Sequence, residues 1–170
     1  LYAEAAMPAL ERLYTIAPSF RAEKSRTRRH LTEFWHAEME IAWSGNEDVM
    51  DHGERLVRHI SRTLLNERSY ELESLGRDLE LIERYASSDY PRIRYDEAIE
   101  RLKAKGVQVE WGQDLDYSKE KILTEDFEVP HFLTHYPKVA KPFYHRPDPE
   151  DSRYVLCHDL LAPEGYGEII

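Results

Sequence analysis

Arg21 and Glu23 stand two residues apart, and Phe34, His36 and Glu38 follow at the same spacing. Residues two apart on a β-strand point to one face. If residues 14–23 and 31–43 are strands paired as a hairpin, one face gathers a guanidinium, carboxylates, an imidazole and an aromatic ring. The intervening stretch adds Lys24, Arg26, Arg28, Arg29 and His30. Residues 21–30 therefore hold five Lys and Arg side chains against one acid, Glu23, inside a chain of formal net charge −10. A locally positive site in an acidic protein suits a polyphosphate. A polar strand face is ordinarily just solvated, but Phe34 among polar neighbours is out of place on such a face.

These side chains need elements to hold them. The other face of the second strand carries Leu31, Glu33, Trp35, Ala37, Met39, Ile41 and Trp43, almost all apolar, which backs the polar floor with a greasy layer. Residues 1–13 have near-helical apolar spacing, with Pro8 as a kink or first-turn residue. Asn46 caps a helix whose stripe is Val49, Gly53, Leu56, Val57, Ile60 and Leu64, and this helix runs on toward Ile82 with a break at Gly76. Arg92–Tyr95 reads as extended, residues 96–105 as a helix closed by Gly106, 107–111 as a short strand and 118–127 as a helix. Strands are then expected at 131–136, 142–145, 154–159 and 168–170, with a tight turn at 147–151. Strands clustered around helices without regular alternation predict an α+β fold, an antiparallel β-sheet flanked by helices.

Composition narrows the function. At 170 residues and 20.1 kDa the chain is long enough for one domain with a core. One third of its residues are charged and the mean hydropathy is −0.69, so a water-soluble protein without a membrane span is expected. The single cysteine, Cys157, rules out an internal disulfide framework and fits a reducing, cytoplasmic setting. The sequence opens at Leu1 directly on a helical pattern, as a chain cut from a longer one would. Other tempting pairs carry little. His131 and His135 have metal spacing only on a helix, whereas on a strand they lie about 13 Å apart. Cys157 and His158 are strand neighbours that point to opposite faces. The sequence has no glycine-rich phosphate loop.

The run FRAEKSRTRRHLTEF, residues 20–34, resembles motif 2 of the class II aminoacyl-tRNA synthetases, and is most similar to the asparaginyl/aspartyl subgroup in its archaeal asparaginyl form. Lys141-Pro142-Phe143-Tyr144 and the stretch from Asp159 to Ile170 resemble later segments of the same catalytic core. The resemblance implies a class II synthetase-like fold in which residues 1–170 form a single, partial catalytic domain. Motif 2 lies at about 14–43, and motifs 1 and 3 and the anticodon-binding domain lie outside the match. It implies ATP and Mg²⁺ as cofactors. Arg21 would be catalytic, bridging the α-phosphate of ATP and the attacking carboxylate. Glu23, Arg29, His30, Leu31, Phe34 and Glu168 would complete the ATP site, with Glu23 on the adenine amino group, Arg29 and His30 on the outer phosphates, and Phe34 stacked on adenine. Glu38, His36 and Tyr144 would line the amino-acid site, Glu38 taking the ammonium group. Asp159 and Glu168 would hold the metal.

The implied function is activation of asparagine, or aspartate, to an aminoacyl-adenylate for tRNA charging by a homodimer. Two alternatives stay open on the same core: ATP-dependent amidation of aspartate, and a non-catalytic binding protein. Plainer roles are also open for single residues. Arg21 could serve only as an ion-pair partner of Glu23 or Glu38, and Asp159 and Glu168 could simply be solvated acids at a turn. Without the arginine that motif 3 would supply, residues 1–170 by themselves are expected to bind ATP weakly and not to catalyse.

Overall fold

The computed structural model of the protein describes residues 2–22 and 30–170. These fall into two compact units, residues 1–49 and 50–170, and each is described by itself.

The first unit is built on a hairpin. Helix α1, Tyr2–Leu10, contains Pro8 and stops two residues beyond it. Glu11 then takes a left-handed conformation, φ 56°, which turns the chain into β1, Arg12–Phe20. β2, Glu33–Ile41, pairs antiparallel with β1 in unbroken register, Arg12 opposite Ile41 through Phe20 opposite Glu33. The Arg21 N–H donates to the Thr32 carbonyl at 2.9 Å and carries the pairing one step further. Regular strand thus begins two residues before the expected 14–23 and ends sooner. The greasy face is uncovered among the described residues: Trp35 is 73% exposed and Ile16 62%. After β2 the Gly45 N–H donates to the Asp48 carboxylate at 2.8 Å, at the start of α2, Asn46–Ser74.

In the second unit α2 bends at Arg68, the one residue inside it with non-helical backbone angles. The expected break at Gly76 separates it from α3, Leu79–Ser87, which is capped by the Asp78 carboxylate on the N–H groups of Glu80 and Leu81. The sheet order is β3–β4–β5–β6, with β3 Arg92–Arg94, β4 His131–Pro137, β5 Tyr154–Ala162 and β6 Gly167–Glu168. β3 runs parallel to β4, so the sheet is mixed and not wholly antiparallel as expected. A parallel pair needs a long crossover, and α4, Tyr95–Ala104, and α5, Tyr117–Thr124, supply it. One buried cluster packs Tyr95, Ala98, Ile99 and Leu102 of α4 and Leu123 of α5 against Leu133, Val155 and Leu161. A second joins Phe132 and Leu160 to Met50 and Tyr90. Both sheet faces are therefore buried.

Two expected strands do not form. Residues 107–111 are a loop, because the Val107 N–H donates back to Leu102 and closes α4 while Trp111 Nε1 turns to donate to Asp96. Residues 142–145 form a turn in which the His145 N–H donates to the Pro142 carbonyl. A third feature had no sequence signal. The β4–β5 register shifts between Thr134 and Tyr136, where His135 has φ 56°. This bulge puts Tyr136 on the same face as Leu133, reversing the alternation that plain strand parity gives.

His131 opens β4 and is fully buried, stacked on Phe127 at 3.6 Å between ring centroids. Neither ring nitrogen has a protein hydrogen-bond partner. Burial, aided by the nearby Arg101 and opposed by Asp126, pushes its pKa down from 6.5 to about 3. The unfolded chain therefore binds a proton that the folded chain refuses. Stability from this source is intact above pH 6.5 and is lost progressively as the pH falls toward 3. Between pH 7.5 and pH 5 the expected loss is about 2 kcal/mol. Denaturant unfolding at the two pH values should show this in the wild type and not in His131→Phe, which keeps the stack without the titration. Equal pH dependence in both proteins would refute it.

Candidate functional site

In the first unit the hairpin register places Thr15 opposite Glu38, Ala17 opposite His36 and Ser19 opposite Phe34. Cross-strand partners share a face, so Phe34, His36 and Glu38 stand in one row. Arg21 joins them, with its guanidinium carbon 5.3 Å from the centre of the Phe34 ring. The rings of Phe34 and His36 meet edge to face at 5.7 Å. His36 Nδ1 lies 3.6 Å from Glu38 Oε1, and Thr15 Oγ1 donates to Glu38 Oε2 at 3.4 Å. The floor thus runs from a cation over an aromatic plate to a carboxylate, a span of about 13 Å from Phe34 to Glu38 at strand spacing. His30 is partly buried and Leu31 is exposed. Glu23 and Arg29 lie outside the described residues.

In the second unit the organising group is Lys141. Its Nζ lies 3.2 Å from Asp159 Oδ2, 3.5 Å from Asp114 Oδ1 and 3.9 Å from the centre of the Tyr136 ring. Burial, followed by the charge of the Asp159 carboxylate, pushes the Tyr136 phenol pKa well up. Burial works against the Lys141 ammonium, but Asp159 and Asp114 outweigh it and raise its pKa, so it stays charged. Tyr136 reaches this cluster because of the bulge at His135.

Glu168 stands opposite Leu161 in the β5–β6 pair, and Asp159 is two residues from Leu161, so the two acids share one sheet face. Among the described residues no group of three or more His, Cys, Asp or Glu is arranged to hold a metal. Two carboxylates on one face are the oxygen ligands that Mg²⁺ takes, and phosphate oxygens would supply the rest of its shell. Asp159 already shares its charge with Lys141, whereas the Glu168 residue is exposed. Tyr144 is 71% exposed and stacks on His145 at 4.8 Å.

The family model for class II tRNA synthetases (D, K and N) matches residues 1–170, the whole chain. The chain belongs to this family. It is 53% identical over its full length to an asparagine–tRNA ligase of Thermococcus gammatolerans, of which it covers 39%. The chain spans about two fifths of the length of the curated relatives that it matches. The backbone superposes with a TM-score of 0.95 on a crystal structure of Pyrococcus horikoshii asparaginyl-tRNA synthetase complexed with asparaginyl-adenylate, 52% identical, covering 99% of this chain and 38% of that one. An Entamoeba histolytica asparaginyl-tRNA synthetase, also with asparaginyl-adenylate, is similar at 28% identity and a TM-score of 0.85, over 99% of this chain and 39% of that one.

Of the hairpin residues expected together within this class II chain, Arg21, Phe34, His36 and Glu38 are together, while Glu23 lies outside the described residues. Tyr136, Asp114 and Lys141 were not singled out as a group by sequence. Lys141 and Asp159 are 18 residues apart and meet only through tertiary folding. In the sequence Lys141 stood out only as the first residue of the Lys141-Pro142-Phe143-Tyr144 segment.

Proposed function

We propose that residues 1–170 are one partial catalytic domain of an enzyme that activates asparagine with ATP and transfers it to tRNA. The observation that carries this reading is the single-faced row Arg21–Phe34–His36–Glu38, found in a chain whose backbone follows that of a synthetase bound to asparaginyl-adenylate. An oxygen of the amino-acid carboxylate attacks the α-phosphorus, the bond to the β-phosphate oxygen breaks, and pyrophosphate leaves. No side chain need bond covalently to substrate, so placement and charge stabilisation supply the rate.

In this reading Arg21 spans the α-phosphate and the attacking carboxylate and offsets the repulsion between two anions. Its planar fork suits two acceptors at once. Phe34 carries adenine, and Glu38, oriented by Thr15 and His36, receives the substrate ammonium group. His30, Leu31, Glu23 and Arg29 complete the nucleotide site. Bound Mg²⁺ would neutralise charge on the phosphates, held by Glu168 with Asp159 nearby, and Tyr144 would border the amino acid. We place the enzyme in the cytoplasm as a homodimer, in keeping with its family. Separately, none of the described helices is long and apolar enough to cross a membrane.

ATP–pyrophosphate exchange in the full-length protein tests the reading. Exchange that depends on asparagine and not on aspartate is expected. Aspartate-dependent exchange, or amide formation from aspartate and ammonia, would replace it. Phe34→Ala should weaken ATP binding roughly 5- to 100-fold, the worth of one aromatic–base stack, in a direct titration at fixed salt. Unchanged ATP affinity would remove Phe34 from the adenine site.

A further inference from the structure

The turn that presents Glu168 is gripped by one face of α5. β6 is only two residues long, Gly167–Glu168, and beyond it the Ile169 N–H donates to the Leu160 carbonyl at 2.8 Å while the Leu160 N–H donates to the Ile170 carbonyl at 2.7 Å. Before it, Glu164 and Gly165 take left-handed backbone, φ 61° and 76°. Tyr117 donates its hydroxyl hydrogen to the Gly165 carbonyl at 2.9 Å, and Lys121 methylenes pack so closely under Gly165 that a Cβ there would stand 3.1 Å from them. Glu120 Oε2 accepts the Glu168 backbone N–H at 3.2 Å. Residues 117, 120 and 121 lie on one helical face. α5 is itself fixed by Asp116, whose carboxylate accepts the N–H groups of Ser118 and Lys119. Glu120 is only 6% exposed. Burying a carboxylate is costly unless it is hydrogen-bonded, and an N–H on a charged acceptor makes a bond roughly twice as strong as on a neutral one.

We propose that Glu120 is a positioning residue for Glu168: by holding the Glu168 N–H it fixes where that carboxylate stands, and so sets how tightly the nucleotide-bound divalent cation is held. The inference rests on the reading of Glu168 as a metal ligand given above. It concerns a side chain that is itself buried and acts through a backbone N–H.

The test uses the full-length protein with Mn²⁺ as the probe cation. Free Mn²⁺ is counted by electron paramagnetic resonance in the presence of saturating ATP, and amide hydrogen exchange over residues 164–168 is measured without metal. Glu120→Ala should accelerate exchange at the Glu168 amide and weaken Mn²⁺ binding, each roughly tenfold, for the loss of a charge-assisted hydrogen bond. Glu120→Gln keeps an acceptor and should lose only about threefold in each, because the neutral bond is weaker. A purely structural role would lower the melting temperature and leave Mn²⁺ affinity unchanged, and that result overturns the proposal. Should Glu120→Ala fail to fold, Glu120→Gln decides in the same way. Glu168→Ala separates the two readings. If it leaves Mn²⁺ affinity unchanged, Glu168 is not a metal ligand and the proposal falls with it. If it weakens Mn²⁺ while both Glu120 variants do not, only the positioning role is lost.

Discussion

Arg21→Ala in the full-length protein is expected to lower asparagine-dependent ATP–pyrophosphate exchange by two orders of magnitude or more while leaving the melting temperature nearly unchanged. The two halves of that expectation have separate causes. The Arg21 side chain is exposed, and its stacking partner is the Phe34 ring at 5.3 Å; such a contact at an exposed site is worth about 0.5–1 kcal/mol. The backbone N–H that pairs with Thr32 survives in alanine. A preorganised positive charge at the reacting phosphate is worth far more, about 3 kcal/mol or above. Arg21→Lys should fall between the two, since an ammonium replaces the charge but not the fork. Near-normal exchange in Arg21→Ala would rule the residue out as the α-phosphate ligand.

The second large effect is expected at Lys141. Lys141→Met should lose about 2–3 kcal/mol of stability together with most of the exchange activity. The ammonium side chain is 15% exposed and its partner Asp159 22%. Removing one member of a mostly buried pair leaves the other charge uncompensated; partial exposure puts the figure below that for a fully buried pair. Asp159 would lose its cation. Lys141→Met combined with Asp159→Asn should recover much of the stability and none of the activity, because the unpaired charge is then gone while the site remains empty of its charges. Urea unfolding of the two single variants and the double variant measures this. A double variant no more stable than Lys141→Met would mean that the two side chains are not coupled.

The hairpin floor was legible because its information is local. Period-two spacing and one antiparallel pairing decide which of Arg21, Phe34, His36 and Glu38 share a face, and a register of two short strands leaves little room for another answer. The extended motif around them then supplied the chemistry. The second unit was less legible for three reasons. Val107 and Val109 alternate as a strand does, but they are spent on covering the helix before them. Phe143 and Tyr144 suggested a strand, yet they lie on an exposed turn beside Lys141, whose charge is what the interior uses. Tyr136 by parity belonged to the wrong face until the bulge at His135 re-aimed it. Single residues with φ above zero, such as His135, leave no trace in hydrophobic pattern. Glu120 was invisible for the same kind of reason: its partner is a backbone N–H 48 positions away.

The unbroken pairing of β1 with β2 also says which length changes this gene segment could absorb. Because every side chain alternates, deleting one codon within β2 would exchange the faces of all residues on one side of the deletion. With Ile41 still opposite Arg12, loss of Ala37 would bring Trp35 to the floor and turn Phe34 and His36 to the apolar side, while Glu38 stayed in place. An insertion or deletion between Arg21 and Thr32 alters only the span between paired ends, leaving the register from Arg12 opposite Ile41 to Phe20 opposite Glu33 as it is. Frame-preserving length variants should therefore sort sharply: those within the strands lose activity as a class whatever residue is removed, while those in the connecting stretch vary in degree, one variant at a time.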